Sequence, residues 1–249
     1  GEENYCISPE AIEKVISKKT KVLIINSPSN PTGTVYDLER LKAIAELAVK
    51  HQFYVISDEV YEKLMYDGLK HYSIAALGDK IKKITIVVNG VSKAYSMTGW
   101  RIGYAAGPEE VIGAVTRIQS HNTSNPTSIS QWASLQALIG PQDEVELMRA
   151  EFEKRRDYIA NRFDEIENVS YIRPQGAFYI FPDVSANYGK TFKGRDIENS
   201  MDIADYLLKE AQVAIVPGEA FGYDNCIRLS FATSLENIKT GLDRIKRAL

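Results

Sequence analysis

Cysteine is scarce. Cys6 and Cys226 are the two present, they lie far apart, and no C-x-x-C pair occurs. That excludes a disulfide scaffold and reads as two reduced packing thiols in a cytoplasmic protein, although the sequence alone leaves a disulfide between them open. Histidine is nearly as rare: His51, His71 and His121 show no ligand spacing, so no metal is assigned. Long apolar runs are missing too. Val22–Ile25 and Ile84–Val88 have strand length, far short of the ~20 residues a membrane helix needs. The start, GEENYCISPE, is acidic and has no apolar h-region, so no signal peptide is expected there. Neither charge dominates: 30 Lys+Arg against 33 Asp+Glu gives −3. That provides no general basic field for nucleic acid or an anionic membrane, leaves a local basic pocket open, and favours a small molecule or another subunit as partner. No internal repeat or low-complexity tract is found.

What is present describes a soluble globular protein. Hydrophobic residues make up 44% and charged residues 25%, and 249 residues suffice for one large domain or two modest ones. Ser8-Pro9 is a helix start, with Ala11, Ile12, Val15 and Ile16 on one face. Lys21–Asn26 reads as a strand buried on both faces. The turn SPSNPTG follows, then Leu38, Leu41, Ile44, Ala45 and Ala48 at helical spacing. Phe53–Ser57, Ile84–Val88 and Arg101–Ala106 are further strands. The alternation predicts a parallel-rich α/β layer over about residues 20–135. After Gly140-Pro141 a charged amphipathic stretch runs to about Asn168. Strand-like GAFYIFP (176–182), a Gly- and Lys-rich loop (186–195), a helix near 201–211, strands near 213–216 and 226–232, and a terminal helix from about Leu235 complete an α+β pattern. The domain plan is thus a large domain over 1–140, a linking helix over 141–168 and a small domain over 169–249.

The polar clusters at the strand ends carry the chemistry. In an open α/β sheet the carboxyl ends of parallel strands converge on the ligand crevice. Asn30 follows the first strand, Asp58 and Tyr61 the second, and Ser92, Lys93 and Arg101 the third, so all six are expected at one edge. A lysine can form a Schiff base with a carbonyl, and an aspartate can hold a pyridinium nitrogen protonated. Hydroxyl and amide donors can fix a phenolate oxygen, while Ser92 and Arg101 suit a phosphate. A lysine with an acidic pyridinium partner marks pyridoxal phosphate chemistry. Each residue alone has a plainer reading: Lys93 as a surface lysine, Asp58 as a helix cap, Asn30 as a turn former, Ser92 as a turn cap, Arg101 as paired with a surface carboxylate, and Arg228 as solvated. Tyr95, Trp100, Phe178 and Tyr179 read mostly as core.

The segments SPSNPTG, SDEVYEKLMYDG and SKAYSMTGWRIGYAAGP resemble the class I/II (fold type I) pyridoxal-phosphate-dependent aminotransferases, nearest their prokaryotic-type aspartate branch. QSHNTSNPTS, RPQGAFYIFPD, VPGEAFG and IRLSFATS extend the likeness over essentially the whole chain. The resemblance implies part of the large domain of that fold, mostly parallel sheet, followed by a smaller α+β domain. It implies pyridoxal 5′-phosphate as cofactor and a ping-pong Schiff-base transfer between an L-amino acid, aspartate favoured, and a 2-oxo acid. It implies Lys93 as the lysine that carries the cofactor and shuttles the proton, Asp58 on the pyridine nitrogen, and Tyr61 and Asn30 on the 3′-oxygen. Ser92 and Arg101 would bind the phosphate and Arg228 the substrate α-carboxylate, with Asn30 beside it. A cytoplasmic homodimer is implied, with Asn122–Pro126 near its interface.

The likeness departs at the front. No glycine-rich phosphate turn precedes residue 33, and the extra strands and ring-stacking aromatic of the family's first segment are not seen. The chain therefore reads as N-terminally truncated, with activity expected of a full-length parent rather than of this chain alone. The competing readings are a lyase or synthase of the same fold and cofactor, and a non-catalytic fragment or binding module.

Overall fold

The structure is a computed structural model that describes residues 4–249; the first three residues of the acidic start lie outside the described residues. Two units are distinguished, Gly1–Pro28 with Thr34–Arg149, and Ser29–Gly33 with Ala150–Leu249.

In the first unit, helix α1 (Pro9–Val15) begins as its sequence dictates. Ser8 Oγ accepts the Ala11 N–H over 3.2 Å, and Pro9 occupies the first turn. Helix α2 (Leu38–His51) is capped by Asp37, which accepts the Arg40 N–H over 2.7 Å. Strands β1 (Val22–Asn26), β2 (Tyr54–Asp58), β3 (Thr85–Gly90) and β4 (Gly103–Ala106) form one sheet in that order, with the short helix α3 (Asp79–Lys82) before β3. Ile12, Ile25, Leu41, Ile44, Ala48, Phe53 and Val55 pack one core. Removing each large aliphatic among them from water contributes roughly 1.5–3 kcal/mol.

The sheet is parallel-rich as expected, with one strand that differs from expectation and one that runs antiparallel. β1 is an edge strand rather than one buried on both faces: Ile25 enters the core, while Val22 and Ile24, sent to the other face by the pleat, are exposed. β1–β2 and β2–β3 pair in parallel, but β3–β4 is antiparallel, with Gly90 opposite Gly103. The segment between them, 91–102, contains a single short turn of 3₁₀-helix at Thr98–Trp100. It holds no helix to carry the chain back across the sheet, and the chain returns antiparallel. Helices α4 (Glu109–Asn122) and α5 (Ser128–Ile139) follow, and α6 (Asp143–Phe163) runs through the boundary between the units.

The second unit is α+β. Strands β5 (Tyr179–Ile180), β9 (Ile227–Ser230) and β8 (Val216–Pro217) form an antiparallel sheet in that order. Helix α7 (Ser200–Ala211) is capped by Asn199, and α8 (Leu235–Ala248) by Ser234. The Gly- and Lys-rich segment expected as loop is instead a hairpin, β6 (Lys190–Phe192) with β7 (Arg195–Ile197). Its two turn residues, Lys193 and Gly194, both have positive φ (48° and 78°), the left-handed pair that matches strand twist in a two-residue turn. Glycine supplies this at no steric cost. Cys6 and Cys226 are both buried, free thiols. Trp100, read with the core aromatics, is 44% exposed, whereas Tyr179 is buried. Among the described residues no helix is long and apolar enough to cross a membrane.

Candidate active site

The sheet register decides where the functional side chains lie in the first unit. Asn26 pairs with Asp58, and Asp58 with Val88, so the carboxyl ends of β1, β2 and β3 are level. Asp58 ends β2, and Ser92 and Lys93 come just beyond the end of β3. Arg101 precedes β4 by two residues, and because β4 is antiparallel it begins where β3 ends. The antiparallel return is thus what returns Arg101 to the edge that holds Ser92 and Lys93. A parallel β4 would put it at the far edge.

Five of the expected residues belong to this edge. Asp58 is half-buried, and its Oδ1 accepts the Val60 N–H over 3.3 Å. Its backbone oxygen accepts Ser27 N–H over 3.1 Å and Asn26 Nδ2 over 3.2 Å, which fixes the strand end. Burial, with a smaller push from the Glu59 charge, raises the Asp58 carboxyl above its usual value despite the Val60 bond. Tyr61 is buried, and the Lys93 ammonium lies 5.8 Å from the centre of its ring, within cation–π range. Arg101 has a left-handed backbone (φ 56°), and its Nη1 donates to Thr98 O over 2.9 Å. Thr98 Oγ1 donates in turn to Ser92 O over 3.0 Å, tying the lysine loop to the arginine turn.

Asn30 and Arg228 both fall in the second unit, joined by a hydrogen bond from Nη1 to Oδ1 of 2.8 Å. The Arg228 guanidinium is flanked by the rings of Tyr179 and Phe221, at 4.6 and 5.0 Å from its carbon. Its Nε is buried with no hydrogen-bond partner among the described residues. A planar cation with one edge bonded and a buried donor unpaired is suited to a carboxylate. From sequence, Tyr179 reads as core and Phe221 attracts no notice, since aromatic neighbours of an arginine announce themselves only through the fold. Glu59, a buried carboxylate beside Asp58, is a further residue absent from the expected set.

The family model for aminotransferase class I and II matches residues 1–245. The chain belongs to that family. It is 50% identical over 248 residues to the aspartate aminotransferase of Bacillus sp. (strain YM-2), and 48% identical over 247 residues to that of Bacillus subtilis (strain 168). Each alignment takes in 99% of this aminotransferase-family chain and 62% of the relative, so the chain spans under two thirds of their length. Among solved structures, the aspartate aminotransferase of Rhizobium meliloti matches all of the chain and 63% of its own, with a TM-score of 0.96 and 41% identity. The aromatic aminotransferase of Pyrococcus horikoshii OT3 matches with a TM-score of 0.91 and 39% identity, over 99% and 64%. The architecture is therefore the α/β fold type I of these enzymes. An amine, a carboxylate, a phenol, a hydroxyl and a guanidinium grouped by three strand ends fit the pyridoxal phosphate that the family implies.

Proposed function

We propose that the protein is a pyridoxal 5′-phosphate-dependent aminotransferase that moves an amino group between an L-amino acid, aspartate favoured, and a 2-oxo acid. The observation that carries this is the Lys93 ammonium over the Tyr61 ring, with Asp58 at the end of the adjoining strand. The relatives' aspartate names support the choice of donor. When bound, the cofactor supplies an electron-withdrawing ring. Lys93 carries it and moves the proton at the substrate α-carbon. Asp58 holds a proton on the ring nitrogen, Tyr61 and Asn30 hold the ring oxygen, and Ser92 and Arg101 bind the phosphate. Arg228, supported by Asn30, pairs with the substrate carboxylate. We read residues 1–140 as part of the large domain, 141–168 as the linking helix and 169–249 as the small domain. The protein is placed in the cytoplasm, in keeping with two free thiols, and as a homodimer over its full length, as the family resemblance implies.

The test is product analysis with the whole protein, given pyridoxal phosphate, L-aspartate and a 2-oxo acid. A new 2-oxo acid made from aspartate, lost in Lys93→Ala, is the expected result. Ammonia with pyruvate released from an amino acid that carries a β-leaving group, with no 2-oxo acid consumed, would make it a lyase instead, and near-normal turnover by Lys93→Ala would overturn the assignment.

A further inference from the structure

Glu59 is an acid on the buried side of a strand end. Val55, Ser57 and Glu59 are buried in alternation, while Ile56 and Asp58 are half-exposed, as the two-residue period of a strand dictates. The residue is 3% exposed. A carboxylate there is costly unless it is paired. Ser57 Oγ donates to its Oε1 over 2.8 Å and Ser73 Oγ to the same oxygen over 2.7 Å, while His71 Nε2 lies 3.0 Å from Oε2. Burial resists the charge, but these partners outweigh it and hold the carboxyl below its ordinary value. Glu62 is a further charged neighbour, with a carboxylate oxygen within 4.8 Å of a Glu59 carboxylate oxygen and a His71 ring nitrogen.

The backbone around Glu59 is fixed as well. Its N–H donates to Val88 O and its carbonyl accepts from Glu62 N–H, both over 2.9 Å, and Leu64 N–H donates to Tyr61 O over 2.8 Å. The turn that carries Asp58 and Tyr61 is therefore fastened through the one side chain between them that three others grip. We propose that Glu59, tied to Ser57, His71 and Ser73, is a positioning residue for Asp58 and Tyr61: it anchors their turn and fixes a negative charge one residue along the chain from Asp58. Two neighbouring like charges raise each other's free energy, so a cationic group meeting Asp58 is bound more favourably. What Asp58 and Tyr61 are positioned to bind rests on the function proposed above; the anchoring does not.

The test uses the cofactor-free chain. Glu59→Gln keeps an acceptor for both serines and removes the charge, so the chain folds and the Asp58 midpoint, followed by carboxyl carbon NMR, moves down. Glu59→Ala removes all three grips, and hydrogen exchange at the Glu62 and Leu64 amides rises about tenfold relative to Val55. Should Glu59→Ala fail to fold, Ser73→Ala serves as the milder variant with the same direction. An unmoved Asp58 midpoint in Glu59→Gln, or unaltered exchange in the alanine variant, overturns the proposal. With pyridoxal phosphate added, Glu59→Ala binds about tenfold more weakly and Glu59→Gln restores part of the loss. Failure of the unmutated whole protein to bind pyridoxal phosphate would count against the proposed function, while the titration and exchange would still decide the role of Glu59.

Discussion

Arg228 Nη1 donates to Asn30 Oδ1 over 2.8 Å, joining residues 198 apart in sequence within one unit. The bond fixes one edge of a guanidinium that lies against the rings of Tyr179 and Phe221. A lysine has neither the plane for the rings nor the fork for a carboxylate. Arg228→Lys in the whole protein is expected to raise KM for the amino acid roughly ten- to hundredfold, the loss of one charge-assisted hydrogen bond. Steady-state kinetics check this; an unchanged KM would remove Arg228 from substrate binding.

Gly33 ends the SPSNPTG turn with φ +70°. Its carbonyl accepts the N–H groups of Gln175 and Gly176, and a Cβ there would lie 2.6 Å from Pro174 Cβ and 3.0 Å from two carbonyl oxygens. Gly33→Ala therefore combines left-handed strain with overpacking and is expected to destabilise the second unit by about 3 kcal/mol. Urea unfolding measures it, and a change under about 1 kcal/mol would contradict the close approach.

Arg156 is fully buried in α6. Its Nε donates to Asp157 Oδ1 over 2.6 Å and its Nη1 to Pro174 O over 2.8 Å. Arg156→Ala leaves a cavity and an unpaired buried carbonyl, an expected loss of about 3 kcal/mol. The same unfolding experiment reads it.

The strand ends are legible in the sequence because a buried strand and a polar cluster each leave a local mark. Asp58, Ser92 and Lys93 follow apolar runs, and the register does bring their strand ends level. The antiparallel β4 is not legible, since its direction goes with the lack of a crossover helix in the connection rather than with its own residues. The Lys193-Gly194 hairpin is masked by composition: glycine and lysine read as loop, while the positive φ at both positions makes a turn. Glu59 does carry a local signal. An acid two residues after Ser57 and four after Val55 lies on the buried face of an apolar strand, where it must find partners, and Ser73 and His71 are those partners.

Asp58 and Glu59 should act on stability in opposite directions with pH. The Asp58 pKa is raised by folding above 3.8, so its ionised form disfavours the fold, and the cost is absent below that value. Asp58→Asn should be more stable than the unmutated cofactor-free chain at pH 7, with the difference vanishing in acid below 3.8. The Glu59 pKa is lowered below 4.5, so its carboxylate supports the fold above that value, and the support is lost as pH falls through the folded pKa. Glu59→Gln should therefore show a shallower loss of stability on acidification below 4.5. Thermal melts across that range test both signs.

The role proposed for Lys93, carrying pyridoxal phosphate, can be read directly from the chain. The chain is incubated with added pyridoxal phosphate, its visible spectrum recorded, and the mixture reduced with borohydride before the modified peptide is mapped by mass. A visible band and a single reduced adduct on Lys93, both absent from Lys93→Ala, are the expected result. An adduct spread over surface lysines, or one that persists in the alanine variant, would contradict it.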